Sequence, residues 1–231
     1  MLELRNVDAY YGNSHALQDI CLTVGAGEFL SVLGRNGVGK TTLMRAILGL
    51  MHRTTGSIRL NGEEIGTRPT DERAKAGIAY VPQGRGILPR FTVRENLQLG
   101  LFANPRAGGR IDESVFEYFP MLKEHFNRMG GNLSGGQQQQ LAIARALLID
   151  PKIMLLDEPT EGIQPNIVEE LEGIIARLNR ERRIAIVLVE QSVAFARHAA
   201  QRFVFMERGG IAAEGPVEEL TDALVHRYMA V

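Results

Sequence analysis

The chain has 231 residues, enough for one domain with a subdomain or for two small domains, and the composition is that of an ordinary globular protein. Its formal net charge is -1, from 26 basic and 27 acidic residues, which excludes a global electrostatic attraction to nucleic acid or anionic lipid. No apolar run approaches the ~18 residues of a membrane span, and the N-terminus has no long apolar signal segment. Any role at a membrane is therefore expected to act through a partner that spans it.

The single cysteine, Cys21, has no second cysteine with which to form an internal disulfide. Its position between Ile20 and Leu22 predicts a small buried side chain. A reducing compartment suits a chain of this kind.

The first 33 residues are predicted to be rich in β-structure. Apolar patterning favours strands over 2–7, 20–24 and 28–33, separated by turn signals at 11–13 and 25–27. We therefore expect an antiparallel sheet near the N-terminus. Tyr11 lies in the first turn, where its ring is placed either to stack on a purine base or to cap the small sheet.

A glycine-rich loop, GRNGVGKTT over 34–42, follows the third strand and precedes a helix-like run at 43–48. The spacing is typical of the phosphate-binding P-loop, whose backbone N–H groups surround phosphates at a helix N-terminus. Lys40 is expected to reach the β- and γ-phosphates, and the Thr41 hydroxyl to hold Mg²⁺. The predicted nucleotide-binding residues of this loop are Gly34, Asn36, Gly37, Gly39, Lys40, Thr41 and Thr42.

Two further strands are predicted, one at 56–60 before an Asn-Gly turn and one at 77–81 before Pro82. Gln83 then lies at the carboxyl end of a strand, the edge at which α/β sheets place ligand-contacting groups. A solvated loop glutamine is the alternative.

Residues 84–150 change character, with loops rich in glycine, proline and arginine. Helical stretches are predicted near 92–102, 111–126 and 135–149, so the region resembles a helical insertion. The Thr92-x-x-Glu95 spacing has the form of a capping box, which favours a helix beginning there.

An apolar strand at 153–156 ends in two carboxylates, Asp157 and Glu158, and Pro159 stops it. Acids at the tip of a buried strand are costly unless they meet a cation or water. With the P-loop nearby, Asp157 suits the Mg²⁺ shell and Glu158 suits a general base for water attacking the γ-phosphate. Capping of the following helix is the alternative.

The remaining elements are predicted from periodicity and turn signals. They are a helix at 165–181, a buried parallel strand at 184–189, a helix near 192–200, a hairpin of 202–206 with 211–213 joined through 208–210, and a last helix opened by Pro216.

The run LSGGQ at 133–137 resembles the signature of ATP-binding-cassette ATPases and lies between the P-loop and the acidic strand in the family's order. Together with Tyr11, the P-loop, Gln83 and the acidic strand, the resemblance covers nearly the whole chain. It implies an α/β fold with a P-loop (RecA-like) core, a parallel central sheet, an N-terminal antiparallel β subdomain and a helical insertion subdomain. The implied division is one nucleotide-binding domain over 1–231, with the core at 1–86 and 151–231 and the helical signature subdomain at about 87–150.

In this family the signature of one subunit closes on the γ-phosphate held by the P-loop of another. Ser134, Gly135, Gly136 and Gln137 are thus implied to complete a partner's nucleotide site. The resemblance further implies that Lys40 binds phosphate, that Thr41, Gln83 and Asp157 hold Mg²⁺, that Glu158 polarises the attacking water and that Tyr11 stacks on adenine. The implied cofactors are ATP and Mg²⁺, and the implied reaction is ATP hydrolysis that drives domain closure.

Two positions depart from the family pattern. Gln191 stands where a histidine usually contacts the γ-phosphate, and Gln164 stands where many cassettes have aspartate. Glutamine forms hydrogen bonds but cannot carry the imidazolium charge. We expect Gln191 to serve in catalysis beside Glu158, and the partner to be a different, histidine-bearing cassette, with a homodimer as the alternative in isolation. The five histidines of the chain are expected on the surface or on helices.

The segments 81–87 and 188–191 resemble the smaller ATPase subunit of branched-chain amino-acid importers. The segments 137–145, 157–165 and 205–209 are more similar to its urea-importer relative. This resemblance implies a peripheral subunit on the cytoplasmic face of a bacterial inner membrane. The implied partners are two transmembrane permease subunits and, indirectly, a periplasmic solute-binding protein. The expected docking surface comprises the Gln83 loop and the insertion, about residues 84–104, and no nucleic-acid partner is expected.

Two other functions remain open from sequence. A soluble cassette protein acting on DNA or ribosomes would need a long coiled-coil insertion or two cassettes, whereas the chain has one P-loop. A regulatory, non-hydrolysing subunit is suggested by Gln191, but Glu158 argues against it.

Overall fold

The computed structural model describes residues 1–229, and the strands within them form two sheets of four and six strands. In chain order the strands are β1 (Leu2–Tyr11), β2 (Ser14–Val24), β3 (Phe29–Leu33), β4 (Arg53–Leu60), β5 (Glu63–Glu64), β6 (Ile78–Val81), β7 (Ile153–Asp157), β8 (Ala185–Glu190), β9 (Arg202–Glu207) and β10 (Gly210–Pro216). The α-helices are α1 (Lys40–Leu48), α2 (Thr70–Lys75), α3 (Val93–Gly100), α4 (Val115–Tyr118), α5 (Pro120–Glu124), α6 (Gly135–Leu147), α7 (Pro165–Arg182), α8 (Val193–Ala199) and α9 (Asp222–Met229).

The smaller sheet is antiparallel, in the order β2-β1-β4-β5, and includes the two N-terminal strands that the sequence predicts to pair. Its first hairpin turns at Gly12, whose φ of +57° lies in the left-handed region that glycine adopts without strain. Tyr11 and Ser14 face each other across this turn, so β1 runs four residues beyond its predicted end at Val7. The antiparallel subdomain is thus present, with longer strands than expected.

The prediction of a buried Cys21 is wrong. Successive side chains of a strand point to opposite faces, and on β2 Ile20 and Leu22 take the buried face. Cys21 is exposed, and its Sγ accepts a hydrogen bond from the Asn6 N–H at 3.3 Å. Because Ile20 and Leu22 occupy the buried face of the strand, Cys21 between them must occupy the opposite, exposed face.

The larger sheet has the order β10-β9-β3-β8-β7-β6, in which β10 alone pairs antiparallel. Strands β3, β7 and β8 are buried along their whole length, as expected for parallel strands covered on both faces. One face packs with α1 and the antiparallel sheet, and the other packs with helices α3 to α8. Because parallel strands end at the same edge, Leu33, Val81, Asp157 and Glu190 come to lie along one side of the sheet.

Two predicted helices differ from the structure. The stretch 111–126 contains two short helices, α4 and α5, because the chain turns at Phe119 and Pro120 begins the second helix. Pro216 opens only a short 3-10 helix, Val217–Glu219, and is itself the final residue of β10, where it pairs with Arg202. An edge strand tolerates proline, which lacks an N–H to donate, and α9 begins six residues later at Asp222.

Helix α1, which follows the P-loop, is anchored at its C-terminal end by Arg73 of α2. The buried guanidinium donates to the Ala46 and Ile47 carbonyls at 3.0 and 2.7 Å. A cation at a helix C-terminus is favoured by the helix dipole, although burial lowers the pKa of Arg73. The position of α1 is therefore fixed from the end opposite the phosphate loop.

The insertion between β6 and β7 carries α3 to α6, and its first helix begins with the predicted capping box of Thr92 and Glu95. Asn96 is fully buried there, and its amide bonds the backbone of Leu88, Phe91 and Thr92. Among residues 1–229, no helix combines the length and the apolar character that a membrane span requires.

Candidate nucleotide-binding site

The P-loop connects β3 to α1 and has the backbone shape that its glycines allow. Gly37 and Gly39 have φ of +79° and +112°, in the left-handed region that L side chains rarely adopt. A Cβ on Gly34 would lie 2.7 Å from the Met206 carbonyl oxygen, so only glycine fits. Because Gly39 has no side chain at the N-cap of α1, the first-turn N–H groups remain available to an anion.

Lys40 is almost fully buried inside this loop, with 5% of its surface exposed. Its ammonium donates to the Gly34 and Arg35 carbonyls at 2.7 and 3.0 Å, and its Nζ lies 3.7 Å from Glu158 Oε1. Burial lowers the pKa of Lys40, while the carboxylates of Glu158 and Asp157 oppose that shift. The site therefore holds one lysine against two acids at the carboxyl edge of the sheet.

Asp157, the last residue of β7, is fully buried. Its two oxygens accept hydrogen bonds from the Thr41 hydroxyl at 3.2 Å and from the Tyr80 hydroxyl at 3.1 Å. Burial raises the pKa of Asp157, and these two hydrogen bonds oppose the rise. Burial and the neighbouring Asp157 carboxylate raise the pKa of Tyr80 in turn, so the phenol remains a hydrogen-bond donor.

Glu158 is held between two glutamine amides that come from different loops. Gln83 Nε2 donates to Glu158 Oε2, and Gln191 Nε2 donates to Glu158 Oε1, both at 3.3 Å. The backbone of Glu158 has a φ of +46°, uncommon for a residue with a side chain, and its N–H donates to the Val189 carbonyl at 2.9 Å. The strained turn aims the carboxylate at Lys40.

These residues enclose a cleft of about 280 Å³. The cleft unites the predicted loop, Gln83 and Glu158 with a residue that the sequence did not indicate, Glu161, whose Oε2 accepts from Gln83 Nε2 at 2.9 Å. Its lining residues are Asn36, Gly37, Gly39, Lys40, Thr41, Thr42, Gln83, Glu158 and Glu161.

The signature run lies elsewhere. Ser134 is the N-cap of α6: its Oγ accepts from the Gln137 N–H at 3.3 Å, and Gln137 Oε1 accepts from the Ser134 N–H at 2.9 Å. A Cβ on Gly135 would contact the Arg85 guanidinium, and one on Gly136 would collide with Ile167. Within residues 1–229, the structure does not bring residues 134–137 into the cleft that Lys40 lines.

Tyr11 also lies outside the cleft lining, with 43% of its surface exposed. Its hydroxyl accepts a hydrogen bond from Arg45 of α1 at 3.3 Å. The aromatic ring is thus tied to the helix that follows the P-loop.

Sequence reasoning missed Tyr80 and Glu190 as members of this region. Glu190 is 4% exposed and accepts from the Thr160 N–H and hydroxyl at 3.1 and 2.6 Å. The available signal was a carboxylate ending a continuous apolar strand, the same signal that identified Asp157. Gln164 is the N-cap residue of α7, and the five histidines occupy exposed or half-buried positions.

A family model described as "ABC transporter" matches residues 17–161, more than half of the chain. The chain belongs to the ABC transporter family. The prediction of an ATP hydrolase coupled to transport, within an ABC importer, is thereby confirmed.

Two curated relatives share its length. The chain is 41% identical over 212 residues to the high-affinity branched-chain amino acid transport ATP-binding protein BraG of Pseudomonas aeruginosa, with 91% of each chain covered. It is 34% identical over 224 residues to the probable branched-chain amino acid transport ATP-binding protein LivF of Archaeoglobus fulgidus, with 96% of this chain and 94% of that one covered.

A solved structure has the same fold. The dimeric post-hydrolysis state of the ATP-binding cassette MJ0796 bound to ADP and phosphate superposes with a TM-score of 0.81 at 29% identity. The match covers 94% of this chain and 99% of that one. The predicted fold class is confirmed.

Proposed function

We propose that this chain binds and hydrolyses ATP in the cleft of Lys40 and Glu158 and thereby powers an importer of branched-chain amino acids or of a related small amide. The single observation that carries the proposal is the arrangement around Glu158. One carboxylate is held by two amides at 3.3 Å, with the Lys40 ammonium 3.7 Å away, at the open side of a phosphate loop. This arrangement suits a water molecule that attacks a bound phosphate.

Each residue of the cleft has a proposed role. The N–H groups at the start of α1 and the Lys40 ammonium bind the phosphates, so Lys40 would exchange its carbonyl partners for phosphate oxygens. Glu158 polarises the attacking water, and Gln191 orients the Glu158 carboxylate. Tyr11 stacks on the adenine, a role that suits its exposed ring beside α1.

The donor set near Thr41 fits Mg²⁺. Thr41, Asp157 and Gln83 offer oxygen ligands, and Thr41 Oγ1 lies 3.2 Å from Asp157 Oδ1. Within residues 1–229, no group of three or more His, Cys, Asp or Glu side chains could hold a metal ion by itself, so phosphate and water are needed to complete the shell. When bound, Mg²⁺ supplies neutralisation of the phosphate charge. The hydrogen bond from Thr41 to Asp157 fixes the start of α1 against the end of β7.

The position of the signature supports a second cassette as partner. Ser134, Gly135, Gly136 and Gln137 lie outside the chain's own cleft, so their proposed role is to complete the cleft of another subunit. The dimeric state of the MJ0796 structure is consistent with this arrangement. Because Gln191 carries no charge, we propose a different, histidine-bearing cassette, with the homodimer as the form in isolation.

The permease contact is proposed for residues 84–104. Leu88 and Phe91 expose 39% and 42% of their surfaces there, and Asn96 fixes the loop that carries them. Short helices of two permease subunits would cover these side chains at the cytoplasmic face of the inner membrane. The helical signature subdomain at about 87–150 would then move relative to the core at 1–86 and 151–231.

The solute has two candidates. The identity to BraG favours branched-chain amino acids. The segments 137–145 and 157–165 favour urea, on the resemblance described above. Neither candidate contacts this chain, because solute recognition belongs to the receptor and the permeases.

The test is uptake by proteoliposomes that contain the chain, its partner cassette, and the permease subunits and receptor of the same transporter. We expect ATP-dependent uptake of labelled leucine, and none with Glu158→Gln. Uptake of labelled urea instead would select the second candidate. ATP turnover that responds to neither permease nor receptor would contradict an importer.

A further inference from the structure

Glu190 is a buried carboxylate for which the proposed mechanism has no use. It ends β8 and is 4% exposed, and three hydrogen-bond donors point at its two oxygens. Oε1 accepts from the Thr160 N–H at 3.1 Å and from the Thr160 hydroxyl at 2.6 Å, and Oε2 accepts from the Gln191 N–H at 3.1 Å. A buried charge is costly unless it is hydrogen-bonded, so this geometry indicates a specific purpose.

The three hydrogen bonds join two loops that are distant in sequence. Thr160 belongs to the loop after β7, the same loop that carries Glu158, and Gln191 begins the loop after β8. Strands β7 and β8 pair in parallel, with Asp157 opposite Val189, so the two loops leave the sheet side by side. Glu190 fastens them together immediately beyond the last strand pair.

The fastening closes a ring. Glu158 and Thr160 belong to the same loop, and Thr160 donates two hydrogen bonds to the Glu190 carboxylate. Glu190 in turn accepts a hydrogen bond from the Gln191 N–H. The Gln191 side chain then donates to Glu158 at 3.3 Å, which completes the ring. Gln191 is exposed, and a free glutamine side chain loses rotamer entropy when it is held in one place. Because the hydrogen bond to Glu190 fixes the Gln191 backbone, less conformational entropy is lost when the Gln191 side chain is held against Glu158.

We propose that Glu190 is a positioning residue that holds Gln191 against Glu158 by tying the two loops together. The inference deepens the proposed function and rests on it. Glu190 acts through Gln191 and Thr160 and does not touch the nucleotide.

A carboxylate is needed because only donors converge on Glu190. A glutamine at this position would have the same shape, but its NH₂ group would face either the Gln191 N–H or the Thr160 donors. Two N–H or O–H donors would then face each other, and one hydrogen bond of the present arrangement would be lost. Glu190→Gln is therefore a change of hydrogen bonding without a change of volume.

The test is ATP hydrolysis by the full-length chain. With Glu190→Gln we expect kcat to fall about tenfold and the KM for ATP to change by about twofold or less, since one oriented interaction is lost and the Glu190 carboxylate bonds to Thr160 and Gln191, not to the phosphate loop. The matched control is Glu172→Gln, which neutralises a half-buried carboxylate of α7 that bonds to neither loop in the described structure.

The background of Gln191→Ala separates positioning from stability. If Glu190 acts through Gln191, the Glu190→Gln change costs about twofold or less in that background, because effects of residues that act as a unit are not additive. An equal loss in both backgrounds, or no loss in the unaltered chain, would overturn the proposal. Thr160→Val, which removes the hydroxyl donor and keeps the branched shape, serves as the second variant and should lower kcat in the same direction.

Amide hydrogen exchange by NMR tests the tie without catalysis. In Glu190→Gln we expect the Gln191 amide to exchange about tenfold faster, while the amide of Val187 inside β8 changes by about twofold or less. Unchanged exchange at Gln191 would overturn the inference. A chain with no turnover at all contradicts the proposed function, whereas turnover that disappears in Glu158→Gln and persists in Glu190→Gln contradicts only the role of Glu190.

Discussion

The nucleotide cleft and the signature turn are built in opposite ways. The cleft draws Lys40, Gln83 and Glu158 from three separate parts of the chain, and Gln191 bonds to Glu158 from a fourth. One buried lysine faces the buried Asp157 and the half-buried Glu158 there. The signature turn at 133–137 is one continuous run whose Ser134 and Gln137 satisfy each other. A cleft of this kind depends on the sheet register, while the hydrogen bonds of the turn depend only on the start of its own helix.

The electrostatic cost of the two regions differs as well. Burial raises the pKa of Asp157 and lowers the pKa of Lys40, so both groups are pushed toward their uncharged forms. The N-cap of α6 carries no such penalty and contributes about 1 kcal/mol of stability. The difference teaches that the cleft gives up stability for function, whereas the signature turn stabilises its helix and remains available to another subunit.

The largest effect is expected when the cleft loses its central carboxylate. Glu158→Gln should lower ATP turnover by about 100-fold or more, because a positioned general base contributes that much, and should leave ATP binding intact. Phosphate release and binding of a fluorescent ATP analogue measure the two quantities. Glu161→Gln, at the rim of the same cleft, is the control and should retain most of the activity.

The next prediction tests whether the signature serves the chain's own cleft. Ser134→Ala should lower turnover about tenfold through the partner's site and cost about 1 kcal/mol through the lost N-cap, without weakening ATP binding by the isolated chain. Ser134→Thr keeps the hydroxyl and should behave like the unaltered chain. A loss of ATP affinity in Ser134→Ala would contradict the separation of the two regions.

A smaller effect is expected at Tyr11, which lies beside the cleft. Tyr11→Ala should weaken ATP binding about fivefold if the ring stacks on adenine, a contact of the size measured for base stacking on aromatic side chains. Tyr11→Phe keeps the ring and loses only the hydrogen bond from Arg45, so its affinity should be unchanged. Equal losses in both variants would assign the effect to Arg45.

The smallest effect concerns stability and sharpens the idea of a costly cleft. Burial raises the folded-state pKa of Asp157 above its ordinary 3.8, so the free energy of unfolding falls as pH rises through the window between the two values. Asp157→Asn should therefore raise the melting temperature by a few degrees at neutral pH. Calorimetry at acid pH should show no difference in melting temperature between the variant and the unaltered chain. If the variant were more stable at every pH, ionisation of Asp157 would not be the cause.

Much of the fold and most of the cleft lining follow from the sequence, since Glu161 is the one lining residue that the sequence did not indicate. The glycine loop, the capping box at Thr92 and the carboxylate pair at 157–158 are signals that act within a few residues, and the structure contains each of them. The prediction that Cys21 is buried is wrong because apolar neighbours in sequence do not determine which face of the sheet a side chain occupies. The prediction at Pro216 holds only for a 3-10 helix of three residues, because an edge strand and a helix start both tolerate proline and Pro216 takes part in both.

By itself the sequence determined the phosphate loop, because positive φ at glycine and an uncapped helix N-terminus are properties of neighbouring residues. Only the tertiary structure decided that Gln83 and Gln191 hold Glu158, and that Glu190 binds Thr160. These contacts depend on the order and register of parallel strands, which the packing of two apolar faces sets over the whole sheet. The family resemblance indicated which residues form the site, and the order of the strands in the sheet determines which of them are in contact.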